Sequence, residues 1–209
     1  MRYCKAFWHR SKRKKALCFQ AEKRVVREYY EALDNAELEG ITAVLKQYTV
    51  ADYTWRAFHP FHLQTSAEVV SKLFWQPFRN AVRHIQRRLD VFFAGDNFID
   101  DSGSAWVCSM GHLMGLFDAP WLGIQPTGKM IMLRYAEFHK IVDGKIAETA
   151  FYFDIPHFMI QAGYAPFPGQ AGAHMVQPGP VAHDALLFED ADPVEGQKTM
   201  DVMHKMISD

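Results

Sequence analysis

The stretch Asp143-Gly144-Lys145-Ile146-Ala147-Glu148-Thr149-Ala150-Phe151-Tyr152-Phe153-Asp154 decides the fold. Asp-Gly supplies the positive φ that a two-residue hairpin turn requires, and the run behind it carries the aromatic and β-branched residues that suit a half-buried pleated surface. A strand over residues 146–153 is therefore expected, paired with the run before the turn. Working back, residues 129–142, 105–117 and 85–93 have the same character. Pro126-Thr127-Gly128, Asp101-Ser102-Gly103 and Gly95-Asp96-Asn97 separate them as turns. Strands joined in this way predict an antiparallel sheet.

Ahead of the sheet the period is helical. From Ala21 onward, Val25, Val26, Tyr29, Tyr30 and Leu33 form one apolar stripe, and Leu38, Ile41, Val44, Leu45 and Tyr48 form a second, shorter one after Asp34-Asn35. Thr65 with Glu68 has capping-box spacing and opens a third helix with the stripe Val69, Val70, Leu73, Phe74 and Phe78, which Pro77 should kink or end. Helices followed by hairpins make an α+β domain with helices on one face of the sheet. Strand faces that are bulky and apolar on one side and mixed on the other suit a strongly curved sheet wrapped around those helices with a hollow inside.

A chain of 209 residues that is 49% hydrophobic can bury one full core. Its apolar runs, such as Met130-Ile131-Met132-Leu133, are far shorter than the roughly twenty residues of a spanning helix, so no membrane partner is expected. Of 23 Lys and Arg, nine fall in residues 1–24, leaving residues 25–209 with a balance of about −9. An acidic body is a poor nucleic-acid binder. The basic head (Arg10, Lys12, Arg13, Lys14, Lys15) is expected to be a frayed, solvated terminus over residues 1–20, with a targeting peptide or a nucleic-acid arm as the alternatives. Cys4, Cys18 and Cys108 are odd in number and lack paired short spacing, so neither a disulfide framework nor a zinc site is suggested, and a reducing cytoplasm fits best.

Three stretches then line up: Gly123-Ile124-Gln125-Pro126-Thr127-Gly128-Lys129 before a long strand, Asp143-Gly144-Lys145-Ile146-Ala147-Glu148 in the next hairpin, and Asp154 followed by Gln161-Ala162-Gly163. Together they resemble the SnoaL-like polyketide cyclases, a branch of the nuclear-transport-factor-2-like superfamily. The likeness covers residues 21–163. It implies a cystatin-like α+β barrel, a cone-shaped curved antiparallel sheet wrapped around three N-terminal helices, with a mostly apolar cavity open at one end. The strand ending at Asp154 would close one wall of that pocket. It also implies acid/base chemistry of the aldol type on a small hydrophobic carbonyl or polyketide-like ligand, with neither metal nor organic cofactor. Isomerase, dehydratase and hydrolase reactions fit the same cone, as does a non-catalytic ligand-binding or dimerisation module.

Such chemistry needs a carboxyl group facing an apolar cavity, where desolvation raises its pKa toward working pH. Asp154 is the candidate acid/base, in the segment where the resemblance places one; an aspartate before Ile155-Pro156 also suits a helix cap. Many relatives carry Trp-Asp where this chain has Ala150-Phe151, so one acidic slot holds a phenyl ring. His59 and His62, with Trp55, form an aromatic, titratable cluster near the expected cavity mouth, His59 as a second catalytic candidate and His62 and Trp55 as substrate contacts. His-x-x-His alone is a poor metal signal. His112 alternates with Met110 and Met114 along its strand and points either into the cavity or into the core. Arg134 and Glu137 have opposite strand parity, so at most one enters the pocket, and Arg134 is the one assigned to substrate. Trp75 and Tyr152 complete the expected lining, and the 14% aromatic content favours a flat hydrophobic ligand.

The cone is thus expected over residues 21–164. The Pro/Gly-rich stretch with Pro166, Pro168, Gly169, Gly172, Pro178, Gly179 and Pro180 opens an extension over residues 165–209, a linker to a further unit or an arm around a neighbouring subunit. A homodimer is expected, formed through the outer face of the sheet.

Overall fold

Asp143 and Gly144 both have positive φ, 49° and 73°, and Val142 pairs with Lys145 across them, so the Asp-Gly turn closes its hairpin as the sequence implies. In this computed structural model the structure describes residues 19–97, 103–169, 180–189 and 192–208. The basic stretch Arg10–Lys15, Asp101-Ser102 and the middle of the Pro/Gly-rich stretch lie outside the described residues.

The described residues begin with α1 (Gln20–Asn35), a 3-10 turn (Leu38–Gly40) and α2 (Ile41–Tyr48). α1 buries Val26, Tyr29, Tyr30 and Leu33, the expected stripe, and α2 buries Ile41 and Leu45. Two strands follow, β1 (Thr49–Arg56) and β2 (Leu63–Gln64), then the third helix, which has three parts: α3 (Ala67–Val70), a π-helical turn (Ser71–Trp75) and α4 (Gln76–Ala81). Its cap is Ser66 rather than Thr65, the hydroxyl accepting from Glu68 N–H at 3.2 Å. Pro77 does not end it: the helix continues to Ala81, with the π-helical turn just ahead of the proline.

β3 (Val82–Asp96), β4 (Ala105–Phe117), β5 (Met130–Val142) and β6 (Lys145–Phe153) run antiparallel, and α5 (Ile155–Gln161) closes the cone. The sheet order is β2-β1-β6-β5-β4-β3. One pairing departs from the expected antiparallel pattern: β1 runs parallel to β6, with Thr54 opposite Glu148 and Trp55 opposite Thr149. Curvature comes from β3, whose register slips against β4 between Arg83 and Gln86 and again between Leu89 and Val91. Gly111 and Gly115 lie opposite those slips. A Cβ on Gly111 would stand 2.0 Å from Arg88 O, and one on Gly115 2.5 Å from Arg83 O, so only glycine lets the two backbones close up there.

Inside the cone the helices meet the sheet through Trp55, Phe61, Phe74, Trp75, Phe78, Trp121, Phe151 and Phe158, all buried. Phe151 packs on Trp55, Phe74, Trp75, Tyr135 and Phe153 at ring separations of 5.0 to 6.2 Å. The hollow expected at this end is filled with rings, which removes apolar surface from water instead of offering it to a ligand. The β6 strand consequently walls an aromatic core rather than a pocket.

Residues 19–189 form one unit. It extends past residue 164, since Leu186 bridges to Phe92 at the free edge of β3. α6 (Pro193–Ser208) belongs to a second unit and exposes Val202, Met203, Met206 and Ile207.

Candidate functional site

The inward residues of β5 are Leu133, Tyr135, Glu137, His139 and Ile141, so a carboxylate and an imidazole sit two apart on a face that is otherwise apolar or aromatic. Opposite them α1 presents Tyr30, whose hydroxyl donates to Glu137 Oε2 at 2.8 Å and lies 3.0 Å from His139 Nε2. Since the phenol proton is spent on the carboxylate, its oxygen accepts from Nε2–H. His139 Nδ1 meets Thr149 Oγ1 of β6 at 2.9 Å, accepting from it when the ring is neutral and donating when it is charged. Ser109 of β4 and Tyr135 share a further bond at 3.1 Å.

Arg87 of β3 supplies the cation. Its side chain is 3% exposed and forks onto Asp34 at the end of α1, Nε to Oδ2 at 3.1 Å and Nη2 to Oδ1 at 3.3 Å. The guanidinium lies 4.0 Å over the Tyr30 ring and 5.7 Å from that of Trp75. Nη1 stands 3.6 Å from Glu137 Oε2 and has no hydrogen-bond partner. A buried donor left unpaired is costly, and such a group asks for an explanation.

Burial alone would raise the Glu137 carboxyl, but the facing His139, Arg87 and Tyr30 outweigh it and hold it below the usual carboxylate range. Burial likewise opposes the charge on Arg87, yet the facing Tyr135, Asp34, Tyr30 and Glu137 keep the guanidinium protonated above its ordinary range. Burial, then the Glu137 charge, pushes Tyr30 well above an ordinary phenol, so it remains a donor at neutral pH.

Tyr30, Asp34 and Arg87 of this network line a surface cleft. A cleft of about 520 Å³ between α1 and β3 is lined by Arg24, Arg27, Glu28, Tyr30, Glu31, Asp34, Arg87, Leu89 and Phe188. Its floor is Arg87 and Tyr30, and Glu137 and His139 lie behind them.

The residues singled out from sequence do not converge there. Asp154 ends β6 and caps α5, its Oδ1 accepting from His157 N–H at 2.9 Å. His59 and His62 meet edge to face in an exposed loop with rings 5.5 Å apart. Trp55 and Trp75 are buried in the aromatic core. His112, Arg134 and Tyr152 have the outward parity of their strands: His112 Nδ1 meets Asp90 Oδ2 at 2.9 Å, and Tyr152 packs on Phe58 at 4.7 Å. Of the pair weighed on β5, Glu137 enters the interior and Arg134 does not. Arg87, Tyr30, His139, Asp34 and Thr149 were missed. The available signal was Glu137-x-His139 inside a strand whose inward neighbours are all hydrophobic.

No profile of a known protein family matches the chain, and no curated protein matches it by sequence. Solved structures do. AclR of Streptomyces galilaeus, provisionally described as a hydroxylase, superposes with a TM-score of 0.56 at 20% identity, covering 72% of this chain and 87% of its own. A SnoaL-like polyketide cyclase, so described provisionally, from Jannaschia gives 0.54 at 16% identity over 70% of this chain and 96% of its own. This is the SnoaL-like fold. IdmH of Streptomyces antibioticus, provisionally a polyketide cyclase, shares that SnoaL-like fold with a TM-score of 0.52 at 17% identity, over 68% of this chain and 97% of its own. Among the described residues, no helix is long and apolar enough to cross a membrane, and no cluster of His, Cys, Asp or Glu could hold a metal ion.

Proposed function

We propose that the chain is an acid/base enzyme of the polyketide-cyclase-like group, acting on a small hydrophobic carbonyl compound at the mouth of the α1–β3 cleft. The observation that carries this reading is Arg87 on the cleft floor, its Nη1 without a hydrogen-bond partner beside Glu137 and its guanidinium held over the Tyr30 ring. Asp34, the carboxylate of the lining nearest Arg87, takes the proton next to the substrate carbonyl. The enolate oxygen then accepts a hydrogen bond from Arg87, whose Nη1 has no hydrogen-bond partner and whose guanidinium is fixed by Asp34 and the Tyr30 ring before the reaction begins. Tyr30, Glu137 and His139 touch no substrate; they hold the Arg87 guanidinium in place.

The test needs no knowledge of the natural substrate. Deuterium exchange from solvent into the acidic CH₂ of 2-tetralone, followed by NMR, is expected to run faster with the full chain than in buffer. Asp34→Asn and Arg87→Lys should each slow it roughly 100-fold, the size of a positioned acid/base or enolate donor. Exchange no faster than buffer sinks the proposal.

A second reading is a dimerising module. The outer face of the sheet exposes Phe93, Met110, Leu116, Met130 and Met132, a run of apolar side chains over neighbouring strands. A second copy covering this face would explain it. Sedimentation equilibrium is expected to give a dimer that Met110→Glu with Met132→Glu dissociates; a wild-type monomer at high concentration counts against it.

A further inference from the structure

Past α5 the chain leaves the cone and returns to the free edge of β3. Phe92 N–H donates to Ala185 O at 2.9 Å and Leu187 N–H donates to Phe92 O at 2.7 Å, so residues 185–187 add a one-residue parallel bridge to the sheet. The chain then crosses to α1. Phe188 packs on Phe92 at 5.3 Å between ring centres, the Arg27 guanidinium sits 4.9 Å over the Phe188 ring, and Lys23 Nζ donates to Glu189 O at 3.1 Å.

This strap therefore spans the two elements between which the cleft opens, and Phe188 forms part of the cleft wall. Leu89 and Phe188 are the aliphatic and phenyl side chains of a lining otherwise made of Tyr30 and charged residues. A ligand with a flat apolar body has Phe188 as its broadest apolar partner. Among the described residues the strap is held by one bridge with its two backbone hydrogen bonds, the Phe188–Phe92 contact, the Arg27 cation–π contact, the Lys23 bond and the packing of the partly buried Leu186 and Phe188 against the core. A segment so held opens locally at much lower cost than β3 beneath it, whose whole length pairs with β4.

We propose that residues 185–189 are a movable wall of the cleft and that Phe188 is its specificity-determining residue, closing over flat, apolar carbonyl ligands. The inference rests on the cleft being the ligand site. Phe188 would confer selectivity by stacking, and strap release would limit ligand exchange.

The experiment uses the full chain with 2-tetralone as probe, comparing wild type, Phe188→Ala and Leu187→Pro. Leu187 does not line the cleft, and proline there removes the donor to Phe92 O and restricts the backbone at Leu186. NMR shifts at Tyr30, Arg87 and Leu89 report occupancy, line shapes give the exchange rates, and circular dichroism checks that each variant is folded. Phe188→Ala is expected to weaken 2-tetralone roughly 10-fold while acetone, which is too small to stack, changes little. Leu187→Pro is expected to speed both association and dissociation. If 2-tetralone binds the cleft equally in all three proteins with the same rates, the strap proposal is overturned and the cleft reading survives. If it leaves the cleft resonances of wild type unmoved, the cleft reading fails and the strap proposal falls with it.

Discussion

The Arg87 guanidinium lies 4.0 Å over the Tyr30 ring while its Nη1 stands 3.6 Å from Glu137 Oε2, so one cation is shared between an aromatic face and a buried carboxylate. Both partners lose by its removal. Glu137 is 1% exposed and would be left charged in the core with only His139 and the Tyr30 hydroxyl to offset it.

Arg87→Met is accordingly expected to destabilise the fold by about 3–5 kcal/mol, the size seen when one member of a buried pair is taken away. Adding Glu137→Leu to that variant should recover part of the loss, because no uncompensated charge remains. Urea unfolding at neutral pH reads both. A double variant no more stable than Arg87→Met would show that packing of the arginine stem, and not charge pairing, carries the effect.

Acid stability should also trace Glu137. Its carboxyl is held below the usual range in the folded chain, whereas the unfolded chain titrates near pH ~4.3. As pH falls through that value the unfolded state binds the proton first. The contribution of Glu137 is therefore present above the unfolded value and is lost as pH drops through the folded one. Urea midpoints of Glu137→Gln between neutrality and about pH 3.5 should be lower than wild type at neutral pH and fall less steeply on the acid side. Parallel curves would remove Glu137 from the account.

Gly111→Ala tests the bend. With Arg88 O only 2.0 Å from the added carbon, β3 and β4 must separate at that register slip. The substitution is expected to cost more than the roughly 1–3 kcal/mol of ordinary overpacking, since backbone and not a side chain is in the way. Thermal unfolding measures it, and Gly95→Ala, where nothing lies within 4 Å, is the comparison.

Asp154 separates two carboxylates as candidate bases. Loss of the α5 cap in Asp154→Ala should cost about 1 kcal/mol, and Asp154→Asn, which can still accept from His157 N–H, should cost less. Deuterium exchange into 2-tetralone then decides the role. If exchange persists in Asp154→Asn and disappears in Asp34→Asn, the base is at the cleft; the reverse pattern returns it to Asp154.

Much of the frame was legible because local chemistry and tertiary structure agree there. The Asp143-Gly144 turn, the α1 stripe and the period-two runs of β3 to β6 are set by backbone preference and burial together. β1 was missed: Thr49, Tyr53 and Trp55 are buried, but the β-like run Thr49 to Trp55 follows a helical stripe without a Gly or Pro to mark the change, and its partner β6 lies nearly a hundred residues away. The site was less legible still. Parity correctly separated Arg134 from Glu137, but which of them turned inward depended on Arg87 and Tyr30 being brought across from β3 and α1. Trp55 and Trp75, expected as lining, pack in the ring core, since sequence does not distinguish a ring that meets a ligand from one that meets another ring.

The parallel pairing of β1 with β6 has a bearing on how the molecule is made. β6 is inserted between β1 and β5, so the strand that completes the sheet is the last of the six to leave the ribosome. Until then β1 lacks its central neighbour and the rings of Trp55 and Trp75 lack Phe151. The N-terminal half therefore cannot complete its sheet or its ring core before residues 145–153 have been made, and docking of the Lys145–Phe153 strand is a long-range event of the slow kind.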